Sequence, residues 1–143
     1  MNILVINGPN LNLLGFREPS VYGKNTLNEL MNTLEKKVID LKHNIKIFQS
    51  NHEGELIDII HDQKGWADGI LINPAALTHY SYAIRDAIKA VKIPTIEVHI
   101  SDINKREDFR KKSVISEVCL DCVIGLGEQS YNVALEKLIK VRL

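Results

Sequence analysis

The sequence predicts an α/β fold of the flavodoxin-like kind: a three-layer sandwich whose five-stranded parallel sheet runs in the order 2-1-3-4-5, with helices on both faces. Three observations predict it. Short apolar runs alternate with helix-period stripes along the whole chain. The first and third runs, Ile3 to Ile6 and Gly69 to Ile72, are apolar without alternation, as strands covered on both faces should be. No linker, internal repeat or low-complexity tract interrupts the 143 residues, so residues 1–143 are expected to form one domain, for which 2-1-3-4-5 is the commonest order at this size.

Each element follows from local pattern. Ile3-Leu4-Val5-Ile6 is a strand that runs into a long polar loop, Asn7 to Gly23, punctuated by glycine and proline. Thr26-Leu27-Asn28-Glu29 is a capping box, and Leu27, Leu30, Met31, Leu34, Val38 and Leu41 then make a helical stripe. Ile45 to Phe48 is a short second strand, and Leu56, Ile57, Ile59 and Ile60 form the apolar face of a helix that stops near Gly65. Gly69 to Ile72 is the third strand, and Tyr80, Ala83, Ile84, Ala87 and Ile88 mark the third helix. Pro94 starts a fourth strand, Thr95 to Ile100, and the charged segment Asp102 to Lys112 reads as a loop with a short helix. A fifth strand ends at Gly125, and Tyr131, Ala134, Leu135, Leu138 and Ile139 define the last helix.

Composition narrows the partners. Lysine plus arginine equal aspartate plus glutamate at 18 each, so no global field draws the chain to nucleic acid or to an anionic membrane. No apolar run approaches the roughly 18 residues of a membrane span, and the amino terminus lacks the pattern of an export signal. A cytoplasmic location is expected. Cys119 and Cys122 form a lone Cys-x-x-Cys on the approach to a strand, without the further ligands of a zinc site, and read as reduced, packed thiols.

The polar residues collect where strands end. Asn7 to Asn10 follow the first strand, Gln49 to Glu53 the second and Asn73-Pro74 the third, while His99 and Ser101 end the fourth. All fall on the carboxyl edge of a parallel sheet, where such folds bind small molecules. In the first loop, Arg17 and Tyr22 are five positions apart. A phenol is a poor base until a close cation stabilises its anion. The same pair also reads as a solvated loop charge and a packing anchor, with Gly15 and Gly23 as possible hinges. Glu97 and His99 share one face of a strand. They suit an oriented general acid, or simply a half-buried histidine with a carboxylate partner. His79 and Asp86, seven apart, are expected on one face of the third helix. Arg106 and Arg110 could reach over a bound anion, or lie on a solvated face. His52 and Glu53 read as the cap of the second helix rather than as metal ligands.

Together these residues resemble the type II 3-dehydroquinate dehydratases of the shikimate pathway, collinearly from end to end. The matching blocks are Asn7-Gly8-Pro9-Asn10-Leu11-Asn12, Leu14-Gly15-Phe16-Arg17-Glu18-Pro19 with Tyr22-Gly23, and Gln49-Ser50-Asn51-His52-Glu53-Gly54. Asn73-Pro74 with Thr78-His79, Arg85-Asp86-Ala87, Glu97-Val98-His99-Ile100-Ser101 and Phe109-Arg110 complete them. One departure is Ala75, where the family usually carries glycine. An alanine there calls for an ordinary backbone conformation and could narrow the pocket floor.

The resemblance implies dehydration of 3-dehydroquinate to 3-dehydroshikimate by anti elimination through an enolate, within chorismate and aromatic amino acid biosynthesis. It implies Tyr22 as the base, Arg17 as its activator, Asn10 as a stabiliser of the enolate, and His99 as the acid oriented by Glu97. Asn73, His79, Ile100, Ser101 and Arg110 match substrate-binding positions, and Asp86 one associated with a subunit interface. No metal or organic cofactor is implied, and the assembly would be a dodecamer, a tetramer of trimers. The alternative class is a flavodoxin-like module for flavin or phosphate, or a signalling receiver. A receiver needs carboxylates where this chain has Asn7 and Asn73.

Overall fold

The computed structural model describes residues 1–16 and 18–142. Its strands are β1 (Asn2–Asn7), β2 (Asn44–Gln49), β3 (Gly69–Asn73), β4 (Thr95–His99) and β5 (Asp121–Ile124). They form one parallel sheet in the order β2-β1-β3-β4-β5, the order expected from the sequence. The longer helices are α2 (Leu27–Asp40), α3 (Glu53–Asp62), α4 (Tyr82–Val91) and α6 (Ser130–Arg142), and two four-residue helices, α1 (Pro19–Tyr22) and α5 (Asp108–Lys111), sit in the loops.

Strand alternation divides the core into two layers. Ile3, Val5, Leu71, Ile96 and Val98 pack against α2 and α6, whose Leu34, Val38, Ala134, Leu135 and Leu138 are buried. Leu4, Ile6, Ile70 and Ile72 face α3 and α4 through Leu56, Ile60, Ile84 and Ile88. Helix α2 opens as its capping residues predict, with Thr26 Oγ1 accepting from the Glu29 N–H at 3.2 Å.

At Tyr80, His52 and Ala75 the structure departs from local expectation for physical reasons. Tyr80 is 62% exposed and precedes α4, because Ser81 caps that helix by accepting from Ile84 N–H at 3.0 Å. His52 is the N-cap residue of α3, as expected, but its side chain makes no capping hydrogen bond, while Glu53 accepts from Ser81 Oγ at 2.6 Å and joins α3 to α4. Ala75 does not take an ordinary conformation: its φ is +53°, in the left-handed region, which costs an L-residue roughly 1–2 kcal/mol. Its N–H donates to Asn73 Oδ1 at 3.1 Å, so that turn is held by a hydrogen bond.

Register places the site. Asn7 pairs with Gln49 on one side and Asn73 on the other, so three carboxamides line up where β2, β1 and β3 end. The chain then crosses closely: Gly8 N–H donates to Asn73 O at 2.8 Å, and a Cβ on Gly8 would lie 2.5 Å from Pro74 O. That contact is backbone, so no side-chain rotation relieves it. Gly8→Ala is expected to destabilise the fold by about 1–3 kcal/mol, the usual cost of overpacking. Urea denaturation tests this, and a loss below about 0.5 kcal/mol would show that the crossing has slack.

Candidate active site

A cavity of about 190 Å³ opens at the carboxyl edge of the sheet. The loop after β1 contributes Asn10 and Tyr22, the β3 exit contributes Asn73, Ala75 and His79, and the β4 exit contributes His99, Ile100 and Ser101. Arg106 and Arg110 reach in from the charged segment. This is the edge at which the sequence clusters its polar residues.

The acid half is built on β4. Glu97 is fully buried and His99 is 5% exposed, both on one face of the strand, opposite Ile96 and Val98. His99 Nε2 lies 2.5 Å from Glu97 Oε1. Burial alone would raise the Glu97 carboxyl. Hydrogen bonding and charge attraction from His99, with hydroxyls of Ser116 and Thr78, overcome it and bring the group down to about 2. Ser116 Oγ donates to Oε2 at 2.6 Å, Ser113 Oγ lies 2.9 and 3.1 Å from the two carboxylate oxygens, and Thr78 Oγ1 donates to Oε1. The carboxylate therefore stays ionised and holds the imidazole by one nitrogen. Thr78, Ser113 and Ser116 were not singled out from the sequence as site residues. Hydroxyls brought in by loop packing leave no periodic trace.

The base half joins two loops. Tyr22, the last residue of α1, is half-buried and lines the cavity. Arg17, the expected activator, lies outside the described residues. Among the described residues, Arg106 is a cation at the phenol: Nη1 donates to Tyr22 Oη at 3.0 Å, and Cζ lies 5.5 Å from the ring centroid. The bond to Tyr22 raises the Arg106 guanidinium above its ordinary value, so it stays charged. The sequence offers Arg106 as an anion ligand, and the fold gives it the phenol.

The remaining residues sort by position. Asn10 takes a left-handed conformation with φ +68°, which asparagine tolerates, and its N–H donates to Asn51 Oδ1 at 3.0 Å. Ile100 and Ser101 line the cavity where β4 ends, and Arg106 Nη1 lies 3.5 Å from Ser101 Oγ. His79 lines the cavity with Nδ1 2.6 Å from Lys112 O. Arg110 lines it too, with Nε 2.8 Å from Glu107 Oε2. Asp86 does not reach this cavity. It is exposed on α4, and it shares no helical face with His79, because His79 ends a separate 3-10 turn, Ala75–His79.

Among the described residues, the cluster of metal-ligating types is Glu97, His99 and Cys122, whose donor atoms lie within 4.8 Å of one another. The donors do not suit a cation. Burial, reinforced by the Glu97 charge, pushes the Cys122 thiol up to about 12, and the carboxylate already accepts from three hydroxyls and the imidazole. Cys119 is likewise pushed up by burial, and both cysteines are free thiols, as their setting in the sequence suggests.

An open α/β sheet with a cation-paired phenol and a carboxylate-held imidazole facing one strand-end cavity has the build of a proton-transfer enzyme. The family described as dehydroquinase class II matches residues 1–139. A 3-dehydroquinate dehydratase from Caldicellulosiruptor saccharolyticus is 58% identical, over 97% of both chains, and one from Halothermothrix orenii is 54% identical over 97% of this chain and 94% of that one. The crystal structure of type II dehydroquinase from Butyrivibrio crossotus superposes with a TM-score of 0.96 at 48% identity, covering 97% of each chain. The chain belongs to the class II dehydroquinase family, a family of lyases.

The lowered Glu97 value has a consequence for stability. A carboxyl brought from 4.5 to about 2 by folding contributes stability that is present above pH 4.5 and is lost as pH falls towards about 2. Glu97→Gln is expected to flatten that acid slope. Urea midpoints measured from about pH 5 to about pH 3 test this, and an unchanged slope in the variant would assign the acid sensitivity elsewhere.

Proposed function

We propose that the protein dehydrates 3-dehydroquinate to 3-dehydroshikimate in the shikimate pathway, by anti elimination through an enolate. One observation carries the reading: the Arg106-paired phenol of Tyr22 and the Glu97-held imidazole of His99 face a single cavity from different loops. Family membership supports the substrate.

Tyr22, as phenolate, takes the proton alpha to the ketone, and the electron pair of that C–H bond moves into the carbonyl to form the enolate. Arg106, with Arg17 as the resemblance implies, stabilises the phenolate by its charge. Asn10 helps to stabilise the enolate oxygen through an ordered water. Collapse of the enolate forms the carbon–carbon double bond and breaks the carbon–oxygen bond of the β-hydroxyl. His99 protonates the departing oxygen, which leaves as water. No electrons are gained or lost overall, and solvent returns the two groups to their starting protonation. Glu97 is the positioning residue that fixes the imidazole and compensates its charge. No metal or organic cofactor takes part in this scheme.

Asn73, Ile100, Ser101, His79 and Arg110 hold the substrate, whose carboxylate suits the β4 exit and the arginine. Asp86 acts across a subunit boundary in a dodecamer built as a tetramer of trimers, which accounts for its exposure on α4 away from its own cavity. The enzyme works in the cytoplasm, on the route to chorismate and the aromatic amino acids. No helix among the described residues is long and apolar enough to cross a membrane.

The ultraviolet absorbance of the conjugated enone follows the reaction directly, and a wild-type protein that forms no product near neutral pH would end this reading. Tyr22→Phe is expected to lower kcat by about 10²–10⁴-fold, the usual worth of a general base, with the fold retained by circular dichroism. Substantial residual turnover would remove Tyr22 from that role.

A further inference from the structure

Beneath the cavity, on the α6 side of the sheet, lies a buried polar chain of which the mechanism above uses only Asn73. Tyr131, in the first turn of α6, is 2% exposed, and its hydroxyl stands between the end residues of β1 and β3. The phenol donates to Asn7 Oδ1 at 2.6 Å and accepts from Asn73 Nδ2 at 3.1 Å. Asn7 and Asn73 are register partners, buried at 0% and 3% exposure, and Asn73 also lines the catalytic cavity.

The donor inventory leaves one arrangement. The Ala75 N–H can only donate, so the Asn73 atom facing it, 3.1 Å away, is the carbonyl oxygen. The amide nitrogen then faces Tyr131, whose single hydroxyl proton is directed at Asn7, so the phenol offers Asn73 a lone pair. Asn7 completes the chain by donating Nδ2 to Met31 Sδ at 3.4 Å. Burial keeps Tyr131 protonated and able to donate. One of the two Asn73 Nδ2 protons is used by Tyr131, and the other remains for the cavity side.

We propose that Tyr131 is a positioning residue for the reaction: with the Ala75 N–H holding the Asn73 carbonyl, the phenol holds the amide nitrogen, so the carboxamide is fixed at both ends and its remaining N–H is presented to the ligand. The site then selects an acceptor oxygen, a carboxylate or a hydroxyl lone pair, at that point of the substrate. Without the phenol, Asn73 keeps the bond from the Ala75 N–H but loses the anchor on its amide nitrogen, so the carboxamide plane is held at one end only, and Asn7 Oδ1 is left buried without its donor. The effect should fall on binding, because Tyr131 has no contact with the cavity that holds the reacting atoms.

This proposal rests on the dehydratase reading, and steady-state kinetics with 3-dehydroquinate tests both separably. In Tyr131→Phe, KM is expected to rise roughly 10-fold while kcat stays within about threefold, the signature of lost ground-state binding. The effect should vanish when Asn73→Ala is already present, because the two residues act as one unit. A role in stability alone would lower the melting temperature, leave KM unchanged and add to Asn73→Ala. Should Tyr131→Phe fail to fold, Asn7→Ala serves instead. It frees the phenol proton to turn towards Asn73, and KM is again expected to rise. An unchanged KM in whichever variant folds overturns the proposal alone. Absence of turnover in the wild-type protein overturns the dehydratase reading and this one with it.

Discussion

The constraint on which most of the site depends is the burial of one carboxylate. Glu97 has no exposed surface, and an ionised carboxylate without compensation would be prohibitively costly in that position. Compensation comes from His99 on β4 itself and, from outside the strand, from Thr78 after β3 and Ser113 and Ser116 after α5. Meeting that demand draws two loops over the strand. Ser113 also accepts from the N–H groups of Ile115 and Ser116, and Val114 N–H donates to Thr78 O. The same turn drives Val114 and Ile115 into the core beside Ile84 and Ile88. The charge that orients the imidazole thus also decides how the segment after Lys112 is folded.

The two faces of the sheet divide the work. On the face towards α3 and α4, Glu97 and His99 form a charged pair wrapped in hydroxyls. On the face towards α2 and α6, Asn7, Asn73 and Tyr131 form a neutral chain in which each amide has one orientation. The cavity lies where the sheet ends and the two faces meet. A neutral network can be buried without a counter-ion, provided that its donors and acceptors match. That suits the substrate contact proposed for Asn73, whose polarity then does not change with pH.

Much of the fold was legible in the sequence because the two hydrophobic periods are well separated. Strands β1 and β3 are uninterrupted apolar runs, and α2 carries a capping signal followed by a stripe that is buried from Leu27 to Val38. The pattern misleads where apolar character is not burial: Leu41 is 46% exposed and Tyr80 62%, both just outside the helices to which their spacing assigned them. Of the site, Tyr22, Asn73, His99 and Ser101 could be found because topology sends every strand end to one edge. Contacts that depend on loop trajectory could not. Nothing local distinguishes Arg106 from the other charges around it, and its phenol partner is 84 residues away. The conformation of Ala75 is similarly a product of the turn around it, since alanine by itself argues against φ +53°.

Tyr22 and Arg106 meet at the periphery. Helix α1 has no buried residue, and the 3-10 turn before Arg106 buries only Ile103, whereas β4 is buried throughout. Segments anchored so lightly exchange their amide protons through small local openings, while the strand that carries Glu97 and His99 exchanges only when much of the sheet opens. In the proposed mechanism the donor of the final proton therefore sits on the firmly held strand, and the acceptor of the first on a segment that opens locally. On that mechanism, the temperature limit of turnover is set by two short peripheral segments and not by the melting of the core.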